Sequence, residues 1–230
     1  METNNYLSVK GIINEAKIIA LSQPLYPNEE GAYLSPEEFI AYTARVSNPS
    51  NQSNTEIAPK LLAYLIKNKH WSPFEMVSMT VEITTSRAIA QQILRHRSFS
   101  FQEFSQRYAQ ATSFITYPAR RQDTKNRQNS VDDMDEETKR WFEWAQDQVQ
   151  DQSQLLYEEA INKGVAKEQA RFLLPISTQT KLYMTGSIRS WIHYLDLRCA
   201  NGTQKEHKDI ADIIKGQFKV YFPNIAEYLE

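Results

Sequence analysis

Apolar and polar positions along this chain of 230 residues recur with two different periods. In PEEFIAYTARVSN (36–48) and IAPKLLAYLIKNKH (57–70) apolar residues fall at helical intervals, and Leu61, Leu62, Leu65 and Ile66 form one stripe in the second. Both are predicted helices. After Pro73 the period drops to two: Val77, Met79, Val81 and Ile83 alternate with Ser78, Thr80, Glu82 and Thr84, as on a strand with one buried face. SRAIAQQILRH returns to helical composition, with Ser86 placed to cap its start. PARRQDTKNRQNSVDDMDE (118–136) is polar and nearly free of large apolar residues, which predicts a long surface loop or flap. A long helix is expected over 136–162, with Trp141, Ala145, Val149, Leu156 and Ala160 on one side and Gly164 in the C-cap position. AKEQARFLLP reads as a short helix stopped by Pro175, and TQTKLYMTG as a weaker strand candidate. SIRSWIHYLDLR puts Ile188, Trp191, Ile192 and Leu195 on one helical face, and a last helix covers 204–219. Helices outnumber strands without alternating regularly with them. The expected class is α+β, an antiparallel or mixed sheet flanked by helices, in a single domain spanning 1–230.

Composition narrows the function classes. With 41% hydrophobic residues the chain can bury a core, and a net charge of -2 leaves no general excess of positive charge for a nucleic-acid backbone. Any anion must be bound locally. METNNYLSVK at the start has no apolar run behind a basic tip, and no stretch approaches ~18 uninterrupted apolar residues. The chain is therefore expected to be neither secreted nor membrane-bound. Cys199 has no second cysteine to pair with, which fits a reducing cytoplasm, and four scattered histidines make no zinc pattern, so no metal is expected.

One segment concentrates chemistry: RHRSFSFQEFSQRY, residues 95–108. A helix C-terminus carries partial negative charge, and on the triplet alone Arg95, His96 and Arg97 are accounted for by macrodipole compensation. The continuation adds hydroxyls, a carboxylate and a third guanidinium in a stretch too polar for a simple buried strand. Guanidinium forks grip phosphate, hydroxyls both donate and accept, and a glutamate takes N–H or sugar O–H protons. Gln92, one turn before Arg95, is expected to share its helix face. A nucleotide suits this set.

Arg95, His96, Arg97, Ser100, Ser105 and Arg107 reproduce RHRxxSxxxxSxR, and the segment resembles the signature of flavin-dependent thymidylate synthases. KHWSPFEM (69–76) looks like that family's upstream element, and ARFLLP with IRSWIHYLDLR like its downstream half, so the resemblance spans roughly residues 60–210. It implies an FAD-dependent enzyme converting dUMP to dTMP, with methylenetetrahydrofolate as carbon donor and NADPH as reductant. By resemblance the nucleotide is held by Gln92, Arg95, Glu103, Phe104, Ser105, Gln106, Arg107, Arg171 and Arg198. The flavin falls on Ser72, Arg95, His96, Arg97, Glu103, Ser187, Ile188, Arg189 and His193. Relatives often carry asparagine where this chain has Ser187 and His193. A homotetramer with active sites shared between subunits is likewise implied, and Arg198 is assigned to the charge developing on the base.

The residues support part of this independently. Arg189 and His193, four apart, share a helix face, whereas Arg198 lies nine residues on, half a circumference away if the helix persists. For His193 a structural role and a ligand contact stay equally open. Ser105 invites a nucleophile reading, but no histidine is singled out to serve it, so a ligand hydrogen bond is expected. Cys199 beside Arg198 is expected to be packing, not a nucleophile. Two other classes compete: a nucleic-acid-binding module using RHR and the 118–136 loop, and a non-catalytic nucleotide-binding protein. The acidic balance disfavours the first.

Overall fold

The computed structural model describes residues 14–25, 27, 31–111 and 113–229; METNNYLSVK lies outside them. Its centre is an antiparallel sheet of order β1-β2-β6-β3. The strands are β1 (Glu15–Leu21), β2 (Ser78–Ser86), β3 (Ser100–Glu103) and β6 (Gln179–Ser187), while β4 (Arg121–Gln122) and β5 (Ser130–Val131) form a separate small hairpin. The helices are α1 (Pro36–Ala44), α2 (Ala58–Lys67), α3 (Arg87–Ile93), α4 (Glu136–Asn162), α5 (Lys167–Ala170), α6 (Ile188–Cys199), α7 (Lys205–Tyr221) and α8 (Pro223–Ala226). The class is α+β with an antiparallel sheet flanked by helices, as the periodicities imply.

The two central strands pair along their whole nine-residue length, from Ser78 opposite Ser187 to Ser86 opposite Gln179. Because side chains alternate, one face collects Met79, Val81, Ile83, Leu182 and Met184, all fully buried. Helix α6 meets this face with Ile188, Trp191, Ile192 and Leu195, and α7 with Ile210, Ala211, Ile214 and Phe218. Trp191 is sealed in by donating its indole N–H to the Met79 carbonyl at 2.9 Å. Each central strand runs straight into a helix through a serine. Ser86 accepts from the Ile89 amide to start α3, and Ser187 accepts from the Ser190 amide to start α6.

Several elements escape a periodicity reading. Strand β1 was not anticipated; it bulges between Ile18 and Ala20, and there Gln217 of α7 substitutes for a neighbouring strand. Its amide oxygen accepts from the Ile18 N–H at 2.9 Å, and its NH2 donates to the Ala16 carbonyl at 2.6 Å. Strand β3 lies inside the polar motif, at the sheet edge, where one exposed face tolerates polar residues. The expected weak strand TQTKLYMTG is part of β6, central in the sheet. The first helix ends at Ala44, short of residue 48, and the 118–136 loop holds the β4–β5 hairpin. Helix α4 occupies the predicted span and Gly164 follows it with φ 84°. Its predicted apolar side does not pack inward, however. Trp141, Val149 and Leu156 are exposed, and Gln150 and Tyr157, on another face, are the buried positions.

Gly186, one residue before the α6 cap, is required by close packing. A Cβ there would sit 2.6 Å from a ring carbon of Phe99, whose ring is wedged edge-on against Trp191 at 4.8 Å between centroids. Gly186→Ala is expected to lower unfolding stability by about 1–3 kcal/mol, read as a shifted urea midpoint; an unchanged midpoint would show that Phe99 gives way freely.

Candidate functional site

The motif's two ends are held apart by the sheet. Ser100 pairs with Thr185 and Glu103 with Leu182, so β3 alone separates Arg97 from Arg107 by roughly 10 Å. The residues named from sequence accordingly fall into groups rather than one pocket.

The first group joins the RHR turn to α6 and α7. Helix α3 stops at Ile93, so the expectation that Gln92 and Arg95 share a helix face does not hold. Arg95 donates instead to the Gln91 carbonyl at 3.2 Å, while the Gln92 amide faces His207 and Gln204. Helix α6 does persist to Cys199, and Arg198 emerges on the side away from Arg189. The Arg198 Nε–H donates to His96 Nε2 at 2.8 Å, leaving its two terminal nitrogens without a hydrogen-bond partner among the described residues. An imidazole that accepts there must be neutral, and burial followed by the charges of Arg198 and Arg95 lowers His96 to about 4. Burial also lowers Arg198, though far above neutrality it stays charged. Arg95 and Arg97 are exposed, and neither has a carboxylate partner among the described residues.

The second group lies at the start of α6. Arg189 pairs with Glu75 at 2.6 Å, and His193 packs edge-on against Trp71 at 4.7 Å. Ser72 is exposed on the same 3-10 turn as Glu75. Burial, then the charge of Arg189, lowers the His193 pKa. Ser187 acts as the α6 cap, and Ser190 donates to the Ser98 carbonyl at 3.2 Å, tying this corner to the RHR turn. Ile188, expected among the flavin contacts, turns its side chain inward. It is fully buried in the core, and its amide N–H is committed to the Val77 carbonyl at 2.9 Å.

The third group sits past the far end of β3. Arg107 bridges to Glu168 at 3.3 Å, Arg171 donates to the Glu168 carbonyl at 3.1 Å, and Lys167 to the Tyr108 carbonyl at 3.0 Å. Two guanidinium groups thus come together from positions 64 residues apart in sequence. Ser105 accepts from the Arg107 amide at 3.4 Å, and no histidine touches it. Gln106 is buried and Phe104 borders solvent. Glu103, on β3 itself, is engaged by Arg87 at 3.0 Å and by Thr180 at 3.1 Å. Among the described residues no hydrogen bond or ion pair joins this group to the first.

Sequence reasoning missed Tyr194, His207, Gln204 and Glu206, whose polar atoms converge behind Gln92. The only prior signal was the polar character of Tyr194, Glu206 and His207 on the core-facing sides of two amphipathic helices; Gln204, exposed just before α7, gave none. Cys199 behaves as expected of packing: burial and a hydrogen bond with Asp212 push its thiol up to about 11, so thiolate is scarce at neutral pH. Among the described residues no helix is long and apolar enough to cross a membrane.

Guanidinium groups without carboxylate partners and neutral imidazoles at one end of an edge strand, with a second arginine pair at the other, make an α+β domain whose exposed side chains are suited to an anionic, hydrogen-bonding ligand. The chain belongs to the family described as thymidylate synthase complementing protein, whose profile matches residues 32–224. It is 57% identical over 216 residues to a flavin-dependent thymidylate synthase of Synechocystis sp., covering 94% of this chain and 99% of that protein. It is 52% identical over 216 residues to a probable flavin-dependent thymidylate synthase of Paramecium bursaria Chlorella virus 1, covering 94% and 98%. The fold matches the crystal structure of a UMP/dUMP methylase PolB from Streptomyces cacaoi bound with 5-Br dUMP, with a TM-score of 0.79, 93% of each chain covered and 23% identity.

His96 and His207 predict an acid-sensitive fold. Their ordinary value is 6.5; burial, then the charge of Arg198, lowers them to about 4 and about 3. Between pH 6.5 and those folded-state values the unfolded chain binds more protons, so their contribution, complete above 6.5, is lost as pH falls through this window. The urea midpoint should decline on acidification, and His96→Gln/His207→Gln should flatten that decline. An identical slope in wild type and the double variant would contradict neutral, desolvated imidazoles.

Proposed function

We infer that this chain is a flavin-dependent thymidylate synthase, an FAD-dependent methyltransferase that makes dTMP from dUMP. The observation that carries the reading is the RHRxxSxxxxSxR segment folded so that its guanidinium groups flank β3, in a chain 57% identical to an enzyme of that name. In our reading the carbon comes from methylenetetrahydrofolate and the reducing equivalents from NADPH. The chain works in the cytoplasm as a single domain of residues 1–230, without nucleic-acid or membrane partners.

The donor set fits FAD. Exposed Arg95 and Arg97, free of carboxylates among the described residues, offer cations for a pyrophosphate. Ser72, the exposed edge of the Ser187–Arg189 turn and His193 border the same corner through the contact of Ser190 with Ser98. Glu103 and His96 hold the motif's shape between them. When bound, FAD supplies the hydride that completes the methyl group. For the nucleotide, Arg107 and Arg171 are matched to phosphate, with Ser105, Gln106 and the Phe104 backbone closing around it. Gln92 and Arg198 face the base, and the free Arg198 fork stabilises negative charge developing on the ring. Neutral His96 orients that fork without repelling the charge it faces.

Two features favour a homotetramer with shared sites. Among the described residues no hydrogen bond or ion pair joins the base-side group to the phosphate-side group. Trp141, Trp144, Val149 and Leu155 of α4, with Phe172 and Ile176, leave an apolar surface bare, Phe172 being 76% exposed. Light scattering at about four chain masses would agree; a fully active monomer would refute sharing.

Arg107→Ala should weaken dUMP binding by about 1.5–3 kcal/mol, measured by calorimetry, with flavin content retained. Unchanged affinity would remove Arg107 from the phosphate site.

Arg198→Ala should slow single-turnover oxidation of the reduced enzyme by about 10² to 10³-fold while altering dUMP affinity little, with Arg198→Lys intermediate. If affinity falls while the bound complex reacts at the wild-type rate, Arg198 only binds.

A further inference from the structure

Behind Gln92 runs an unbroken file of polar side chains, two of them in the hydrophobic core. Tyr194 is 1% exposed and His207 fully buried, and the phenol oxygen lies 3.0 Å from His207 Nε2. His207 Nδ1 lies 3.3 Å from Gln92 Oε1. Gln92 Nε2 donates to Gln204 Oε1, and Gln204 Nε2 donates to Glu206 Oε2 at 2.9 Å. Glu206, 5% exposed, takes Arg120 on its other oxygen. Its carboxylate borders a cleft of 510 Å³ between the β4–β5 hairpin and the start of α7.

The direction of each hydrogen bond in this file is dictated from both ends. A buried phenol must place its proton on an acceptor, and His207 Nε2 is the one hydrogen-bonding atom within reach of the Tyr194 hydroxyl among the described residues. The imidazole then carries its proton on Nδ1 and donates to Gln92 Oε1. At the other end a carboxylate accepts and does not donate, so Gln204 turns its NH2 toward Glu206 and its carbonyl toward Gln92. That carbonyl demands an N–H from Gln92. Both ends thus select one amide orientation for Gln92 and oppose the flipped one. Flipping it would set NH2 against an N–H donor and oxygen against oxygen.

We propose that Tyr194 and His207 are positioning residues that lock the Gln92 side-chain amide, so that it presents its remaining N–H to the ligand and reads a carbonyl oxygen on the base. The inference rests on the nucleotide reading above and deepens it. A uracil ring offers a carbonyl where cytosine carries an amino group, so a locked donor accepts the first and opposes the second. An unlocked amide turns over at little cost and serves both. Burial keeps His207 neutral well below physiological pH, so the lock does not open by protonation in the working range.

The test is the ratio of dUMP to dCMP affinities, measured by calorimetry on folded, flavin-loaded protein. Tyr194→Phe keeps the ring and removes the terminal proton; His207→Phe removes the donor to Gln92; His207→Asn retains an N–H able to replace it. The ratio is expected to fall by about threefold to tenfold in Tyr194→Phe and His207→Phe, and to recover partly in His207→Asn. A merely structural role would lower the urea midpoint and leave the ratio unchanged, and that result overturns the proposal. If His207→Phe does not fold, the ratio in the near-isosteric Tyr194→Phe decides. Wild-type protein that binds neither nucleotide would instead refute the nucleotide reading, and the base-reading role with it.

Discussion

The in-register pairing of β2 with β6 is the constraint on which the rest of the structure depends. Over nine residues each side chain has a fixed partner and a fixed face, and a slip of one residue would turn Met79, Val81 and Ile83 out of the core. The same register places the two capping serines at opposite ends of the strand pair. Helix α3 therefore leaves one end and α6 the other, and the two can approach only along the sheet's buried face. There the turn after α3 meets the last turn of α6, which is how His96 reaches Arg198 across 102 residues of chain. Strand β3 inherits its position from β6, so the motif's spacing becomes a distance in space.

Charge is managed by neutralising imidazoles rather than by adding carboxylates. A carboxylate beside Arg198 would hold its fork as an ion pair and compete with any anionic ligand. His96 accepts the Nε–H, satisfies one side of the guanidinium and leaves the net positive charge intact. Arg189 and Arg107 differ, since Glu75 and Glu168 already touch them. Both pairs are substantially exposed and therefore worth little to stability, so an anionic ligand proposed to bind there would displace the carboxylate at small cost. Among the described residues Arg198, like Arg95 and Arg97, has no carboxylate partner, whereas Arg189 and Arg107 are held in exposed ion pairs.

The elements with strong periodicity were legible in the sequence: β2, α2, α4 and α6, together with the caps at Ser86 and Gly164. Strand β1 was not, because two hydrogen bonds on its free edge, at Ile18 and Ala16, come from Gln217 far along the chain, and no local pattern records that. Strand β3 was hidden because an edge strand with one open face tolerates the polar sequence its ligand chemistry requires. At the site, the motif residues were readable as chemistry, but their division into separate groups was not, since it follows from the strand register. Tyr194, His207, Gln204 and Glu206 escaped for the opposite reason. Tyr194, Glu206 and His207 occupy core-facing helix positions where apolar packing is expected, Gln204 is the exposed residue just before α7, and a polar file of this kind is visible only once its members meet.

That file also explains why α7 carries polar residues toward the core at its first turn and apolar ones afterwards. Ile210, Ala211, Ile214 and Phe218 pack on the sheet, whereas Glu206 and His207 precede them, where the helix begins beside the site. Replacing only these two by hydrocarbon would strand the Tyr194 hydroxyl, Arg120 and Gln204, so the file is kept or lost as a whole. Their retention in a buried place, fully partnered, is most economically understood as orientation. Each hydrogen bond there is net worth only about 1 kcal/mol, yet the flipped amide arrangement breaks several at once. A weakly stabilising chain therefore discriminates strongly between two nearly isosteric states of one glutamine, and this asymmetry makes a buried polar network useful next to a ligand.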